Sequence, residues 1–366
     1  MKADLQADRV APYQVWTGVV SVLLVMTFHT FPRGVALSTL TAAPWMILLV
    51  GGLTLLLFWP VAAALARRPG HGLIDLALEA GGRPLAIAVA VLLCAFVIGA
   101  SGMSVRQVSE MAITATYPHT PQTWIMSSLV LAGALGAHLR VPALLWIGMS
   151  YFWPSLIAIL IVVVGNVAWG QFANITPIAG PGLLPLAGQA LPLTSYFGEL
   201  VYLTVIAPYL GNVRRLVSVS AGVVGVTALV WGLVLLVYLM VFPLPSGLAV
   251  PFPVFEMTRL VQGGRFLERA DAIWLVLWTF GSAGRLAGGL LFGSLLFRDA
   301  FRLPDHRQAV LPLAMAVMAL RLYPSNQSGA IALDTFLIRR WGFLATFLVP
   351  AVVALLALRK RGGQGA

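Results

Sequence analysis

The stretch Met26-Thr27-Phe28-His29-Thr30-Phe31-Pro32-Arg33 interrupts the first long apolar run of the chain, which covers residues 13–40. Two threonines, a histidine, a proline and an arginine are unusual in a segment that is otherwise apolar. In lipid the helix itself must satisfy its backbone N–H and C=O groups, so an irregular span is expected where it lines a cavity inside the protein. The stretch therefore predicts a membrane helix that is broken beside a polar hollow.

The composition of the whole chain indicates a membrane protein with many spans. Of its 366 residues, 60% are hydrophobic and 10% are charged, whereas an average soluble domain has about 25% charged residues. A transmembrane helix needs about 20 apolar residues, so the chain has room for ten spans with short loops. This composition excludes a disulfide scaffold, a disordered chain and an ordinary soluble enzyme.

Apolar runs separated by Arg, Pro and Gly predict ten spans in a single transmembrane domain over residues 1–366. We expect one five-helix unit in residues 1–166 and a second in residues 191–358. The predicted spans are roughly 13–40, 44–66, 84–104, 122–139, 142–166, 191–212, 216–243, 266–297, 308–323 and 341–358.

Ten spans would place both termini on the same side of the membrane, and the basic residues predict which side. If the termini are cytoplasmic, fourteen Lys and Arg residues lie in cytoplasmic loops and eight in external loops. This excess predicts cytoplasmic termini by the positive-inside rule. The external set includes Arg339 and Arg340, which fit the rule least. Because the arginines lie in short loops between apolar runs, we expect a lipid bilayer around the protein and no nucleic-acid partner.

A second irregular stretch lies in span six. It reads Thr194-Ser195-Tyr196-Phe197-Gly198-Glu199 and is followed by Pro208-Tyr209-Leu210-Gly211. Spans one and six are the first members of the two five-span halves. Interrupted helices at matching positions are a pointer to a midplane binding site in an inverted-repeat transporter fold. The sequence therefore predicts an all-α integral membrane protein with ten helices in a five-plus-five inverted repeat.

Glu199 and Arg285 are the two charges that lie deepest in the predicted spans. Charges in the membrane are costly and are almost always paired or face a cavity. One interpretation is a structural ion pair that never meets a ligand. The other is a site for a zwitterion, in which the carboxylate holds an ammonium group and the guanidinium holds a carboxylate.

The candidate substrate-binding residues come from the irregular spans one and six and from residues 281–285 of span eight. For His29, a hydrogen-bonded histidine inside the bundle is the alternative interpretation. The sequence has no Gly-rich phosphate loop, metal-ligand cluster or nucleophile–base grouping, so we expect no enzyme, no cofactor and no metal. The candidates are Thr27, His29, Thr30, Gly198, Glu199, Tyr202, Ser282 and Arg285.

Several stretches resemble those of a known family. They are Val10-Ala11-Pro12-Tyr13-Gln14 before span one, Phe197-Gly198-Glu199 and Ala207-Pro208-Tyr209-Leu210 in span six, and Gly264-Arg265-Phe266-Leu267-Glu268-Arg269-Ala270-Asp271-Ala272-Ile273-Trp274 at the start of span eight. Together they resemble the B subunit of bacterial spore germinant receptors, within the amino acid–polyamine–organocation superfamily. The resemblance covers nearly the whole chain.

The resemblance implies a LeuT-like fold with a nutrient site near the broken spans one and six, lined also by spans three and eight. It further implies a complex with a membrane-bound A subunit and a lipoprotein C subunit in the spore inner membrane. The nutrient is usually an amino acid and sometimes a sugar or nucleoside. Relatives tend to have a Gly-Thr step in the first break, where this chain has Met26-Thr27. His29 and Arg285 match no family motif.

Three functions remain open at this point. The first is a nutrient sensor that binds an amino acid without transporting it, and the sequence favours this one. The second is a cation-coupled secondary amino acid transporter with the same fold. The third is a structural membrane subunit whose cavity is vestigial.

Overall fold

The structure is a computed structural model that describes residues 8–115, 117–261, 270–321 and 327–362. Within these ranges the chain is almost entirely helical, and its β pairing is limited to a single bridge between Val10 and Leu210. In the described ranges seven helices are long and apolar enough to cross a membrane, and three shorter apolar helices accompany them, Pro12–Phe28, Gln122–Ala137 and Arg307–Leu320.

The first five spans correspond closely to the predicted apolar runs. Span one consists of two helices, and spans two to five of one helix each. The helices are α1 (Pro12–Leu24), α2 (Phe31–Thr39), α3 (Ala43–Ala66), α4 (Leu73–Ala115), α5 (Gln122–Ala137) and α6 (Val141–Val167).

The second five spans are more segmented. Span six contains α7 and α8, α10 lies in the loop between spans seven and eight, and span ten contains α13 to α15. The α7 helix begins at Leu183, eight residues before the predicted start of span six at residue 191. The helices are α7 (Leu183–Thr194), α8 (Tyr202–Ile206), α9 (Leu216–Val241), α10 (Pro253–Leu260), α11 (Ala270–Phe301), α12 (Arg307–Arg321), α13 (Gln327–Leu333), α14 (Arg340–Phe343) and α15 (Val349–Gly362).

Hydrogen bonds between the ends of the spans show which ends share a face. On the terminal face, the chain termini contact segments that follow even-numbered spans: Val10 N–H to Tyr209 C=O (2.9 Å), Arg140 Nη1 to Asp8 Oδ1 (3.0 Å) and Arg68 Nη2 to Ala357 C=O (3.1 Å). On the opposite face, segments next to the ends of odd-numbered spans contact one another: Trp45 Nε1 to Ile178 C=O (2.8 Å), Gln171 N–H to Met240 C=O (3.0 Å) and Arg33 Nε to Leu248 C=O (2.6 Å). This alternation is what ten crossings of a membrane require.

The long helix α4 contains a sharp bend at Gly82. This residue has φ 74° and ψ −166°, in the left-handed half of the Ramachandran plot. Residues with a Cβ rarely adopt such a conformation, whereas glycine adopts it without steric cost. The bend separates a short first segment from span three, which begins just after it, close to the predicted residue 84.

Span ten differs from its prediction. The sequence had placed the span at 341–358 and Arg339 and Arg340 in an external loop, but the helix begins at Gln327 and runs on to Gly362. Arg339 is buried in this helix, where its Nε lies 3.3 Å from Asp334 Oδ2. The prediction was wrong because hydropathy counts Asp334 and Arg339 as unfavourable in a membrane. In the structure their opposite charges partly neutralise each other inside the bundle.

Small residues bring spans one and five into close contact on the terminal side of the molecule. A Cβ added at Gly148 would lie 2.9 Å from Gly18 Cα, so a larger residue would force the two helices apart. The Ser21 hydroxyl donates to the Gly148 carbonyl at 2.7 Å. This contact holds the first half of span one firmly against the bundle, up to the point where the span is interrupted.

Candidate functional site

Span one is broken at His29 and Thr30, within the stretch that the sequence predicted. The α1 helix tightens into a 3₁₀ turn over Val25–Phe28, and His29 is extended with φ −80° and ψ −165°. The break leaves backbone groups without helical partners. Gln107 of span three satisfies one of them, because its Oε1 accepts hydrogen bonds from the Thr30 N–H (3.1 Å) and the Thr30 hydroxyl (3.3 Å).

Span six is irregular in a different way. Its helix changes to a 3₁₀ helix over the seven residues Ser195–Val201, all of them buried, before returning to an α-helix. A 3₁₀ run longer than three or four residues is uncommon and often marks a functional hinge. The Ser195 hydroxyl accepts the Phe343 N–H of span ten at 2.7 Å, so the irregular segment is attached to that span.

Glu199 and Arg285 form an ion pair between spans six and eight. The Arg285 guanidinium donates to the Glu199 carboxylate, and the two residues expose only 3% and 2% of their surface respectively. The second carboxylate oxygen of Glu199, Oε2, has no hydrogen-bond partner among the described residues. The attraction in such a pair is offset by the loss of hydration, so the pair by itself is weak evidence for a stabilising role.

A closed polar cavity lies beside the break of span one. It leaves about 10 Å³ for the centre of a water molecule, which is room for about one water. Each lining residue exposes at most 7% of its surface, so the cavity is closed toward both faces. The residues that line it are Met26, His29, Thr30, Phe31, Ser104, Gln107, Tyr196, Arg285, Asp334 and Arg339.

Three of the predicted site residues, His29, Thr30 and Arg285, meet in this cavity. His29 Nε2 lies 3.2 Å from the Ser104 hydroxyl, and its ring packs edge-on against Trp278 with 5.5 Å between ring centroids. The histidine is therefore both hydrogen-bonded within the bundle and part of the cavity wall. Glu199 does not line the cavity, but its partner Arg285 does.

The other predicted residues lie near the cavity without lining it. Gly198 packs against span three, since a Cβ there would lie 2.5 Å from Phe96 Cζ. Thr27 and Ser282 are buried, and their hydroxyl groups have no partner among the described residues. Tyr202 lines a second cavity instead.

The second cavity is apolar and lies between spans one, five, six and eight. It leaves about 50 Å³ for the centre of a water molecule. Tyr202 and Gly288, which line it, follow Glu199 and Arg285 by three residues each, or about one helical turn. The Glu199–Arg285 pair therefore separates the polar cavity from the apolar one.

Sequence reasoning missed the contribution of span ten to the polar cavity, and it named no span-three residue as a candidate, although the resemblance implied that span three lines the site. Span three supplies Ser104 and Gln107, and span ten supplies Asp334 and Arg339. The presence of Asp334 and Arg339 in one apolar run was a usable signal, because opposite charges inside a membrane need partners, although a spacing of five positions does not pair in an ordinary α-helix. Among the described residues there is no group of three or more His, Cys, Asp or Glu that could hold a metal ion.

Transporters are among the solved structures that share this fold. Mhp1, a nucleobase-cation-symport-1 family transporter solved in a closed conformation with bromovinylhydantoin bound, matches with a TM-score of 0.66 and 12% identity over 96% of this chain and 93% of that chain. The manganese transporter of Eremococcus coleocola matches with a TM-score of 0.54 and 13% identity over 94% of this chain and 76% of that one. At these identities the likeness shows the LeuT-like fold alone.

No curated protein matches the chain in sequence. The comparison with protein families gives a match over most of the chain, from residue 9 to residue 330, and its description is spore germination protein, or spore permease. The matched range includes the break of span one, the 3₁₀ segment of span six and the Glu199–Arg285 pair. The chain therefore belongs to the spore germination protein family of membrane permeases.

Proposed function

We propose that this protein is the nutrient-sensing B subunit of a spore germinant receptor and that it binds an amino acid at the break of span one. The observation that carries the proposal is the closed polar cavity in which Arg285 meets His29 and Thr30, with Glu199 paired to the arginine. A buried ion pair beside an interrupted helix offers one group of each sign to a zwitterion. Ionisable residues inside a membrane are also costly and usually mark functional sites, which supports a role for this pair.

In this proposal the ligand exchanges partners with the ion pair. The ligand carboxylate binds the Arg285 guanidinium, and its ammonium group binds Glu199, whose Oε2 has no partner among the described residues. The cavity has room for about one water, so binding requires the surrounding spans to move apart. Ligand binding then shifts the population from the closed conformation to one that signals.

We place the protein in the spore inner membrane, with both termini on the core side and with the receptor A subunit and C lipoprotein as partners. Membership of the spore germination family supports this location. The corrected position of Arg339 also supports the orientation, because it removes one basic residue from the loops on the opposite face. Arg68 and Arg140 remain on the terminal face, as the positive-inside rule expects.

Thermal stability of the purified full-length chain tests the proposal. A ligand that binds only the folded state raises the melting temperature, and the shift grows with the logarithm of the ligand concentration above its Kd. We expect at least one of the common amino acids to raise it and Glu199→Gln to abolish the shift. Glu256→Gln is the matched control, since Glu256 lies on the opposite face with 41% of its side chain exposed. If no amino acid stabilises the protein, the proposed function is wrong.

A cation-coupled amino acid transporter is the second candidate. The observation that favours it is the series of two cavities, both lined by spans one, six and eight and separated by one ion pair, since a carrier needs a path on both sides of its site. Uptake of labelled amino acids into liposomes that contain only this chain discriminates the two functions. Saturable, cation-dependent uptake would establish transport, and binding without uptake would support the sensor.

A further inference from the structure

A second buried ion pair, Asp334–Arg339 on span ten, faces the same cavity as Arg285. Its two residues are separated by five positions. In an α-helix of 3.6 residues per turn, five positions rotate the side chain by about 140°, so the two would point in different directions. Here residues Asp334–Arg339 form a π-helical segment, whose wider turn brings them together. Such segments are rare and frequently occur at functional sites.

The pair leaves hydrogen-bonding capacity unused. Asp334 Oδ1 and Arg339 Nη1 have no partner among the described residues, although the residues expose only 5% and 7% of their surface. The Arg339 guanidinium lies over the ring of Tyr196 at 4.8 Å, which holds it in place at the cavity wall. A buried donor or acceptor without a partner costs free energy. One unpaired acceptor and one unpaired donor on the same cavity wall therefore indicate a binding partner that enters the cavity.

The rest of the cavity wall has the same character. Of its ten lining residues only Met26 and Phe31 are apolar, and Gln107 adds an amide beside the pair. The apolar cavity on the other side of the Glu199–Arg285 pair is the alternative location for a ligand side chain. Arg285 lines the polar cavity and not the apolar one. In an amino acid ligand, the side chain is attached to the carbon next to the carboxylate. If Arg285 binds that carboxylate, the side chain of the ligand therefore lies in the polar cavity.

We propose that Asp334 and Arg339 contact the side chain of the ligand and select amino acids whose side chain forms hydrogen bonds over aliphatic ones. This inference rests on the proposed function of the site and names its substrate class. Arg339 Nη1 donates to an oxygen of the side chain, and Asp334 Oδ1 accepts from its hydroxyl or amide N–H. An aliphatic side chain would leave both groups unpaired.

Isosteric amino acids test the selection. Threonine and valine have the same shape, as do asparagine and leucine, and each pair differs only in hydrogen-bonding groups. We would measure their affinities for the full-length chain in lipid nanodiscs by ligand-dependent melting. Threonine or asparagine should bind about ten-fold more tightly than its aliphatic counterpart, which is the effect of leaving one or two buried groups unpaired.

The double variant Asp334→Leu/Arg339→Met removes both charges and both sets of hydrogen-bonding groups together, so that neither charge remains uncompensated in the bundle. It should reduce the discrimination to about two-fold or less while valine binds as before. Equal or tighter binding of valine and leucine by the native chain would overturn the proposal, as would unchanged discrimination in the double variant. If no amino acid binds at all, the proposed function itself fails, and this inference fails with it.

Discussion

Removal of one partner of the Glu199–Arg285 pair should destabilise the protein at least as much as removal of both. The two residues expose 2% and 3% of their surface, so Glu199→Gln or Arg285→Gln alone leaves a single buried charge. Such a charge costs about 3–5 kcal/mol of unfolding free energy. The double variant leaves no charge and keeps similar volumes, so it should cost no more than either single variant. The coupling energy between the two sites is then about 3 kcal/mol or more.

A double-mutant cycle measures this coupling from reversible unfolding in mixed detergent micelles. The exposed pair Arg259–Glu256 is a matched control, because it joins the same residue types at 3.3 Å with side chains that are 59% and 41% exposed. Its coupling should be about 0–1 kcal/mol. If the Glu199 and Arg285 variants prove additive within about 0.5 kcal/mol, the two charges do not depend on each other and the reasoning about the site is refuted.

Three further predictions concern the frame of the site. Gln107→Leu removes the acceptor for the Thr30 N–H and hydroxyl and should cost about 1–3 kcal/mol of unfolding free energy. Gln308→Leu makes the same change at an exposed position and should cost less; equal losses would show that the bonds to Thr30 contribute nothing. Gly82→Ala, at φ 74°, should lower stability by about 1–2 kcal/mol. By contrast, Gly52→Ala lies inside a helix with open space around it and should leave stability unchanged or raise it. If Gly52→Ala melted at a lower temperature than Gly82→Ala, the account of the bend would be contradicted. Val10→Pro removes the N–H that joins the N-terminal segment to the end of span six. It should increase the labelling of cysteines placed in the apolar cavity, whereas Val10→Leu should not. Equal labelling of the two variants would show that the hydrogen bond does not close the terminal face.

The sequence predicted the spans and the first break well because these depend on local properties. The length of an apolar run determines where a helix can cross lipid. The polar run around His29 and Thr30 is expected to line a cavity, because lipid cannot satisfy its polar groups. The deep charges at Glu199 and Arg285 were also visible, since a charge inside an apolar run needs a partner and few were available. Their pairing follows from the same cost of isolated charge in lipid.

Span ten was predicted less well because its features depend on a local change of helix geometry and on a contact with another span. Arg339 is acceptable in the membrane only because Asp334 lies on the same widened turn and the ring of Tyr196 lies beneath it. A window of hydropathy contains neither contact. Gln107 presents the same difficulty, since its role is to satisfy a backbone group seventy-seven residues earlier in the chain.

A structure of the full-length chain with a stabilising amino acid bound would test the central claim most directly. The account predicts the ligand in the cavity at the break of span one, with its carboxylate within hydrogen-bonding distance of Arg285 and the Glu199–Arg285 contact opened. A ligand bound elsewhere, with that ion pair intact, would contradict it.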